Sequence, residues 1–408
     1  MNVLVITGCC LKENTSANLC HRSYINGFLK LGHTVDLVSF SENGIVIDES
    51  IVLPKVRKHY VFNGVSLYER LAGKKANKTP NSSISEDFIE KTSDAVSLKT
   101  KMFKLAKTVF RKSYGIYNPS IVWFRNGKKL KIDEKYDLVV SLSYPQVSHL
   151  LTAYLINKER IKTKRWIQLW EDPWTTDLGN RDNYNKCLKA ESKLLSTCKE
   201  IIYVSPITLK IQQDLFSKSK QNMKWFPLPS YYETELLDYN FPRNHYGYFG
   251  DYSSGIRNLV PFYNVAVEMG VVTYICGSSN KPFTSEANVS VYPRMPLDEL
   301  KKYEDNTNVL ICLFNLKGGQ IPGKIYQYAS TNKIVLVILD GTDEEKKVLK
   351  DYFSKYNRFI FCNNDEESIK SAISNIENHN LYGVSSEPLT CFSPQSIVKQ
   401  IIESNDEK

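Results

Sequence analysis

The chain has 408 residues, of which 42% are apolar and 24% are charged, and it carries 53 basic against 44 acidic side chains. Its length exceeds what one hydrophobic core usually supports and predicts two domains, and its composition is that of a globular protein. The net charge of +9 suits anionic small molecules or an anionic membrane surface, and no basic and aromatic motif of a nucleic-acid-binding module is present, so we expect no nucleic-acid partner.

Cysteine usage and the amino terminus point to the cytoplasm. The nine cysteines are scattered, and none belongs to a Cys-x-x-Cys pair of the kind that holds a metal. Residues 2–7 are apolar but lack a basic leader and a cleavage site, so we interpret them as a first strand. No apolar run has the length needed to span a bilayer.

The first half of the chain alternates apolar strands with amphipathic helices. Strand patterns at 2–7 and 34–40 flank helical spacing over 17–31, which is a βαβ opening. Such units build parallel sheets whose ligands sit at the carboxyl ends of the strands, so the loop that starts at Gly8 is expected beside a cleft. The alternation continues with elements at 137–142, 146–157, 165–170, 182–198 and 201–204, then a helix capped by Ser205.

Residues from about 55 to 130 interrupt this alternation and are interpreted as an insertion. Within them, 97–112 combines an apolar stripe at helical spacing with six basic side chains. A helix of this kind can make a weak contact with an anionic membrane, which would place the protein on the inner face of the cytoplasmic membrane. The alternative is a helix packed on its own domain with a solvated basic face, as most amphipathic helices are.

The strand at 165–170 is followed directly by Glu171-Asp172-Pro173-Trp174. An acidic pair and a large aromatic side chain at the end of a strand suit a pocket that reads polar groups. A tight turn capped by Asp172 explains the same residues.

A proline- and aromatic-rich stretch from 226 to 242 lacks periodicity and is predicted to link two domains. We place the first domain at 1–228 and the second at 229–388, with a C-terminal helix in 389–408 whose docking site the sequence does not indicate. The predicted elements of the second domain are 246–250, 258–269, 271–276, 289–292, a helix from Pro296, 309–314, 333–339, 358–361 and 366–376.

Within the second domain, residues 317–330 lie between two buried strands and combine a glycine pair with a proline. Gly318 and Gly319 let the main chain approach a ligand closely, and Pro322 fits the first position of a helix. A diphosphate is the natural occupant, with Lys324 adding a point charge. A simple turn with a solvated lysine is the alternative, because no complete phosphate-binding fingerprint is present.

Four segments occur in an order shared with a known family. They are Gly32-His33-Thr34-Val35, Asp137–Ser141 with Tyr144-Pro145 and His149, Asp172-Pro173-Trp174, and Ile321–Tyr328. In order and spacing they resemble GT-B type, family 4 retaining glycosyltransferases of bacterial surface-polysaccharide synthesis. That resemblance implies an α/β protein in which two Rossmann-like doubly wound domains face each other across a cleft.

The resemblance also implies the substrates. A nucleotide sugar of UDP or GDP type would be held mainly by the second domain, and a saccharide or lipid-linked acceptor by the first. Lys324 would neutralise the leaving group, Arg257 would meet the diphosphate, and residue 327 would bind the ribose hydroxyls. The residues expected on the donor side are Gly8, Gly250, Arg257, Gly318, Gly319, Lys324 and Gln327.

This chain departs from the family pattern at two positions. The family usually has Glu at position 327 and often at position 319, where this chain has Gln327 and Gly319. A glutamine bonds a hydroxyl without the strength of a charged acceptor. The departures leave open a nucleotide-sugar-binding subunit without activity, and a nucleotide-sugar epimerase is a further alternative with this fold.

The charge that develops during sugar transfer indicates which residues we expect to be catalytic. Breaking a sugar–diphosphate bond builds negative charge on the leaving phosphate, which Arg257 and Lys324 would stabilise. No two aspartates lie two residues apart, so the Asp-x-Asp metal motif is missing. We therefore expect no metal, and no cofactor besides the nucleotide sugar as co-substrate.

The acceptor hydroxyl needs a group that orients or deprotonates it. Asp172 is the first candidate, and His149 is the second, although a lone histidine on an apolar helix is more often structural. Glu171 and Trp174 complete the expected acceptor side.

Overall fold

The computed structural model describes residues 1–64, 114–117, 120–175, 183–217, 221–231, 243–317, 319–381 and 383–404. The basic segment 97–112, most of the predicted insertion, Gly318 and residues 232–242 lie outside the described residues. The membrane contact and the role of Gly318 therefore stay predictions.

The first sheet contains seven parallel strands, β1 (Asn2–Thr7), β2 (Thr34–Phe40), β3 (Lys58–Phe62), β4 (Lys135–Ser143), β5 (Lys162–Trp170), β6 (Glu200–Tyr203) and β7 (Asn222–Trp225). Their order is β3-β2-β1-β4-β5-β6-β7. The order reverses between β1 and β4, where Val3 pairs with Leu138, and ligands of doubly wound sheets bind outside the carboxyl ends of the strands at such a point.

The second sheet contains six parallel strands, β8 (His245–Phe249), β9 (Val272–Cys276), β10 (Val289–Tyr292), β11 (Val309–Leu313), β12 (Ile334–Leu339) and β13 (Ile360–Asn363). Their order is β10-β9-β8-β11-β12-β13, with the reversal between β8 and β11. Two doubly wound parallel sheets confirm the predicted α/β class. The sequence had not indicated the edge strands β3 and β7.

The helices of the described residues cover the faces of these sheets. They are α1 (Ser16–Lys30), α2 (Ile121–Gly127), α3 (Val147–Asn157), α4 (Tyr184–Leu195), α5 (Pro206–Leu215), α6 (Val260–Met269), α7 (Leu297–Asp305), α8 (Lys324–Ala329), α9 (Asp343–Ser354), α10 (Glu366–Glu377) and α11 (Pro394–Glu403). None of these helices has the length and apolar character needed to cross a membrane.

The helix after the glycine pair starts later than the sequence predicts. Gly323 occupies its N-cap position and Lys324 begins α8, so the expectation that Pro322 is the first helical residue is wrong. The chain uses the preceding residues for contacts with the first domain, where the carbonyl of Gly319 accepts the Ser205 hydroxyl. Only six residues remain helical, so the fixed charge at this end must come mainly from side chains.

The C-terminal helix α11 docks on the first domain, against α1. Gly27 permits the contact, because a Cβ there would lie 2.3 Å from the carbonyl oxygen of Pro394 and 2.5 Å from Val398. Arg165 of β5 adds hydrogen bonds to the carbonyls of Ile401 and Ile402. The last described helix thus packs on the domain that contains β1.

Candidate functional site

Loops at the carboxyl ends of strands from both sheets meet across the domain boundary. Ser205, after β6, donates its hydroxyl to the carbonyl of Gly319 at 2.9 Å. Gln320, in the loop after β11, donates to Asp172 Oδ1, after β5, at 2.6 Å. The two sheets therefore turn their ligand-binding edges toward each other.

A second group of hydrogen bonds also joins the two domains, at other loops and at the start of α7. Asn14 Nδ2 donates to the carbonyl of Met295 at 3.3 Å, and Arg294 donates to the carbonyl of Asn14 at 3.1 Å. The carboxylate of Asp48 accepts the main-chain N–H of Leu297, the first residue of α7, at 3.0 Å. These interdomain residues were not identified from the sequence.

A small cleft, partly open to solvent, lies beside these contacts. The first domain contributes loop and α1 residues, and the second contributes the loops after β8, β9 and β10 and the start of α8. Three of the predicted donor-side residues line it, namely Gly250, Lys324 and Gln327, together with Asn14, Ser16, Asp251, Cys276, Gly277, Arg294 and Met295.

Lys324 brings a partly buried positive charge to this cleft. Its Nζ lies 5.7 Å from the centre of the Tyr328 ring. Burial lowers the pKa of Lys324, Arg294 lowers it further, and the acidic Glu304 opposes both. A partly desolvated ammonium is stabilised by an anion, so this position favours the diphosphate interpretation over a fully solvated lysine.

Glycines shape the wall opposite Lys324. A Cβ on Gly250 would lie 3.9 Å from Lys324 Cε, so the two residues face each other closely. A Cβ on Gly277 would lie only 2.0 Å from the carbonyl oxygen of Gly250. Gly277 is therefore needed for the loops after β8 and β9 to approach, and its place directly after a predicted strand was the available signal.

Arg257 lies near the carboxyl end of β11 rather than in the cleft lining. Its Nε donates to Asn315 Oδ1 at 2.8 Å. Burial raises the pKa of the Cys312 thiol to about 12, while the positive charges of Arg257 and Lys324 both act to lower it. The charges of both predicted cations therefore act on the carboxyl-terminal part of β11.

The structure gives a reason for each departure from the family pattern. Gly319 has a φ of +61°, and a Cβ there would lie 2.4 Å from Ile207. A glutamate at this position would collide with the first domain. Gln327 is only 3% exposed and lines the cleft, where a neutral amide needs less desolvation than a carboxylate.

Asp172 is held from both domains. Its main-chain carbonyl accepts Gln146 Nε2 at 2.9 Å and its carboxylate accepts Gln320. The following turn is fixed by the buried Glu191, which accepts the N–H of Thr175 at 2.9 Å. Asp172 thus lies at the domain boundary, and its role toward the acceptor stays a prediction.

The Gly8 main chain is engaged within the first domain. Its N–H donates to Ser148 Oγ at 2.9 Å, and a Cβ would lie 2.8 Å from Pro145 Cγ. In this structure the glycine therefore serves close packing at the end of β1.

Two predicted acceptor-side residues are buried in the first domain. Trp174 is 3% exposed and packs edge-on to Tyr117, with ring centres 5.2 Å apart. His149 is fully buried; its Nδ1 lies 2.7 Å from Ser141 Oγ and its ring lies against Trp170. Burial lowers the pKa of His149 to about 3, with a further contribution from the charge of His21. Both side chains pack inside the domain rather than face the cleft.

His21 and Glu171 form a buried charged pair where β5 ends, and the sequence did not reveal this pair. His21 Nε2 is 3.4 Å from Glu171 Oε1, and His21 Nδ1 is 2.9 Å from Thr7 Oγ1. Burial disfavours the charged imidazole, but the Glu171 carboxylate and a hydrogen bond with Cys9 outweigh it and raise the pKa of His21 to about 10. Burial raises the pKa of Glu171. This acidic residue thus has a partner inside its own domain.

Within the described residues, no group of three or more His, Cys, Asp or Glu side chains is arranged to hold a metal ion.

Comparison with known proteins identifies the architecture. No protein-family model matches the sequence, and no curated protein matches it significantly. Among solved structures, a sucrose-phosphate synthase from Thermosynechococcus elongatus is 11% identical, with coverage of 100% of this chain and 98% of its own and a TM-score of 0.58. The chain has the GT-B fold.

Two further structures agree with this assignment over their full lengths. TarM is 8% identical, covers 98% of both chains and has a TM-score of 0.60. A trehalose-6-phosphate protein from E. coli bound with UDP-2-fluoro glucose is 10% identical, covers 100% of this chain and 99% of its own, and has a TM-score of 0.58. At such identities the similarity concerns the GT-B fold.

Proposed function

We propose that this GT-B protein is a glycosyltransferase that moves a sugar from a nucleotide-sugar donor to a saccharide or lipid-linked saccharide acceptor. The observation that carries the proposal is the partly buried charge of Lys324 in the interdomain cleft, with Arg257 near the same strand end. A diphosphate placed there would supply negative charge to both cations.

The donor would occupy the second-domain side of the cleft. Gly250 and Gly277 make room for a ligand close to the main chain, and Gln327 would bond ribose hydroxyls. Arg294 is half exposed in the cleft lining and paired with Asp251 at 3.0 Å. We add it to the cations near the donor.

The proposed mechanism follows from charge. As the sugar–phosphate bond breaks, Lys324 and Arg257 stabilise the negative charge on the leaving diphosphate, in a site that excludes part of the solvent. Asp172, at the domain boundary, orients or deprotonates the acceptor hydroxyl. We propose a retaining, metal-independent hexosyltransferase, following the sequence resemblance to family 4.

The same resemblance supports a cellular role. We propose that the acceptor belongs to capsule, lipopolysaccharide or another bacterial surface glycan, and that the enzyme acts in the cytoplasm. A lipid-linked acceptor would place it at the inner face of the cytoplasmic membrane, and the basic segment 97–112 is the predicted contact.

A nucleotide-sugar screen tests the donor. UDP- and GDP-type sugars are added to the full chain and the thermal unfolding temperature is measured, since a ligand that binds only the folded state raises it. Sugars that stabilise the protein are then incubated with it, and release of the nucleoside diphosphate is followed. Binding without release, with every acceptor tried, supports the inactive-subunit alternative; conversion of the free donor to its epimer supports the epimerase.

Two further measurements test the mechanism. Turnover that chelator abolishes and manganese or magnesium restores would contradict metal independence. Asp172→Asn keeps the side-chain shape and removes the charge, so unchanged turnover in this variant would remove Asp172 from the mechanism.

A further inference from the structure

Three hydrogen bonds form a continuous line from Arg257 in the second domain to Asp172 in the first. Arg257 Nε donates to Asn315 Oδ1 at 2.8 Å, and Asn315 Nδ2 donates to Gln320 Oε1 at 3.3 Å. Gln320 Nε2 then donates to Asp172 Oδ1 at 2.6 Å, across the domain boundary. The line connects a residue proposed to serve the donor with one proposed to serve the acceptor.

The residues at the two ends of this line determine which atom donates and which accepts in each of the three hydrogen bonds. The guanidinium of Arg257 can only donate, and the ionised carboxylate of Asp172 can only accept. Turning the Asn315 amide over would set its NH2 group against Arg257, and turning Gln320 over would set its oxygen against the carboxylate. One arrangement of the two amides satisfies all three bonds, and it is the arrangement in the structure.

The two domains hold different parts of Asp172. The first domain fixes its main chain, through the bond from Gln146 to its carbonyl at 2.9 Å. The second domain fixes its carboxylate, through a short bond to an ionised acceptor, which is stronger than a bond between neutral groups. Asp172 therefore receives hydrogen bonds from both domains.

We propose that Gln320, oriented by Asn315, is a positioning residue that holds the Asp172 carboxylate in its productive orientation from across the domain boundary. The role rests on the proposed function, because it takes Asp172 as the group that orients the acceptor. A donor bound at Arg257 steadies the far end of the same line. Acceptor activation is thereby coupled to the presence of the donor.

A pair of variants tests the contact without any ligand. Gln320→Glu places a second carboxylate 2.6 Å from the first, and the repulsion should lower the urea midpoint of unfolding. Adding Asp172→Asn exchanges the donor and the acceptor: the new amide donates to the new carboxylate, whose other oxygen still accepts from Asn315. The double variant should recover the wild-type midpoint.

Gln400→Glu is the matched control, because it makes the same chemical change on an exposed position of α11. A midpoint for Gln320→Glu equal to that of the control, or no recovery in the double variant, would overturn the proposal. Because this experiment needs no substrate, its result is separate from the outcome of the donor screen.

Activity supplies the second readout. In an enzyme that transfers sugar, Gln320→Ala should lower kcat for transfer about tenfold or more, because the carboxylate is no longer aligned, while the donor Kd stays unchanged. An equal loss of donor affinity would make Gln320 a donor-binding residue and contradict the positioning role. A wild-type chain without transferase activity would refute the proposed function, and the urea experiment would still decide whether Gln320 holds Asp172.

Discussion

His21 Nε2 lies 3.4 Å from Glu171 Oε1, and both side chains are almost completely buried where β1 and β5 end. Glu171 precedes Asp172 directly in the sequence, so the charge state of the pair bears on the proposed acceptor side. Thr7, Cys9 and His149 are the other groups that interact with this imidazole.

The first prediction concerns alkaline pH. The pKa of His21 rises from 6.5 to about 10 on folding, so its contribution to stability is complete below pH 6.5 and is lost as the pH rises toward 10. The raised pKa of Glu171 acts in the same direction. We expect the free energy of unfolding to fall by about 1 kcal/mol per pH unit in this range. The double variant His21→Gln, Glu171→Gln should lack this component in urea titrations, and an equal slope in both proteins would contradict the assignment.

The second prediction concerns acidic pH and has the opposite sign. The pKa of His149 falls from 6.5 to about 3 on folding, so its contribution is present above pH 6.5 and is lost as the pH falls toward 3. His149→Phe keeps a ring against Trp170 and cannot titrate. Between pH 6.5 and 4, this variant should lose less stability than the wild type, whereas the exposed control His379→Asn should follow the wild type.

The third prediction concerns donor affinity. Lys324→Met keeps the side-chain length and removes the charge, so we expect nucleoside diphosphate binding to weaken by about tenfold or more, since hydrogen bonds to charged groups are worth roughly 1.5–3 kcal/mol. Calorimetric titration with the nucleotide selected by the screen measures this change. Lys350→Met, on the exposed face of α9 in the same domain, is the control. Equal dissociation constants for the two variants would argue against Lys324 as a phosphate partner.

The fourth prediction concerns the docking of α11. Gly27→Ala introduces a Cβ within 2.3 Å of the Pro394 carbonyl oxygen, so the helices must separate. Overpacking of this kind costs about 1–3 kcal/mol, which outweighs the gain of about 0.5–1 kcal/mol in helix propensity. Gly255→Ala meets nothing within 4 Å and serves as the control. Equal urea midpoints for the two variants would show that the contact between α1 and α11 accommodates the added methyl group without loss of stability.

The strand predictions succeeded where the strands are deeply buried. Asn2–Thr7 has five fully buried residues in succession, and a strand buried on both faces is recognisable as a continuous apolar run. The edge strands Lys58–Phe62 and Asn222–Trp225 contain no fully buried residue. Their mixed polar and aromatic sequences carry no period that identifies them.

The candidate site was predictable only in part, because residues far apart in sequence build it. Gly250, Lys324 and Gln327 carry local signals and line the cleft, whereas Asn14 and Arg294 meet across 280 positions. No local pattern marks such a pair. The sequence also does not show which polar side chains are buried. It therefore offers His149 as a candidate base, although the structure buries this side chain completely.

The chain returns to the first domain just before α11, and this return limits how the two domains can move relative to each other. The polypeptide leaves the first domain after β7 and comes back just before α11, and the two passages touch where the Ser230 N–H donates to the Phe392 carbonyl at 2.7 Å. Two covalent tethers side by side act as one pivot. We expect any relative movement of the two domains to be a rotation about this crossing, because a sliding movement would strain both connections at once.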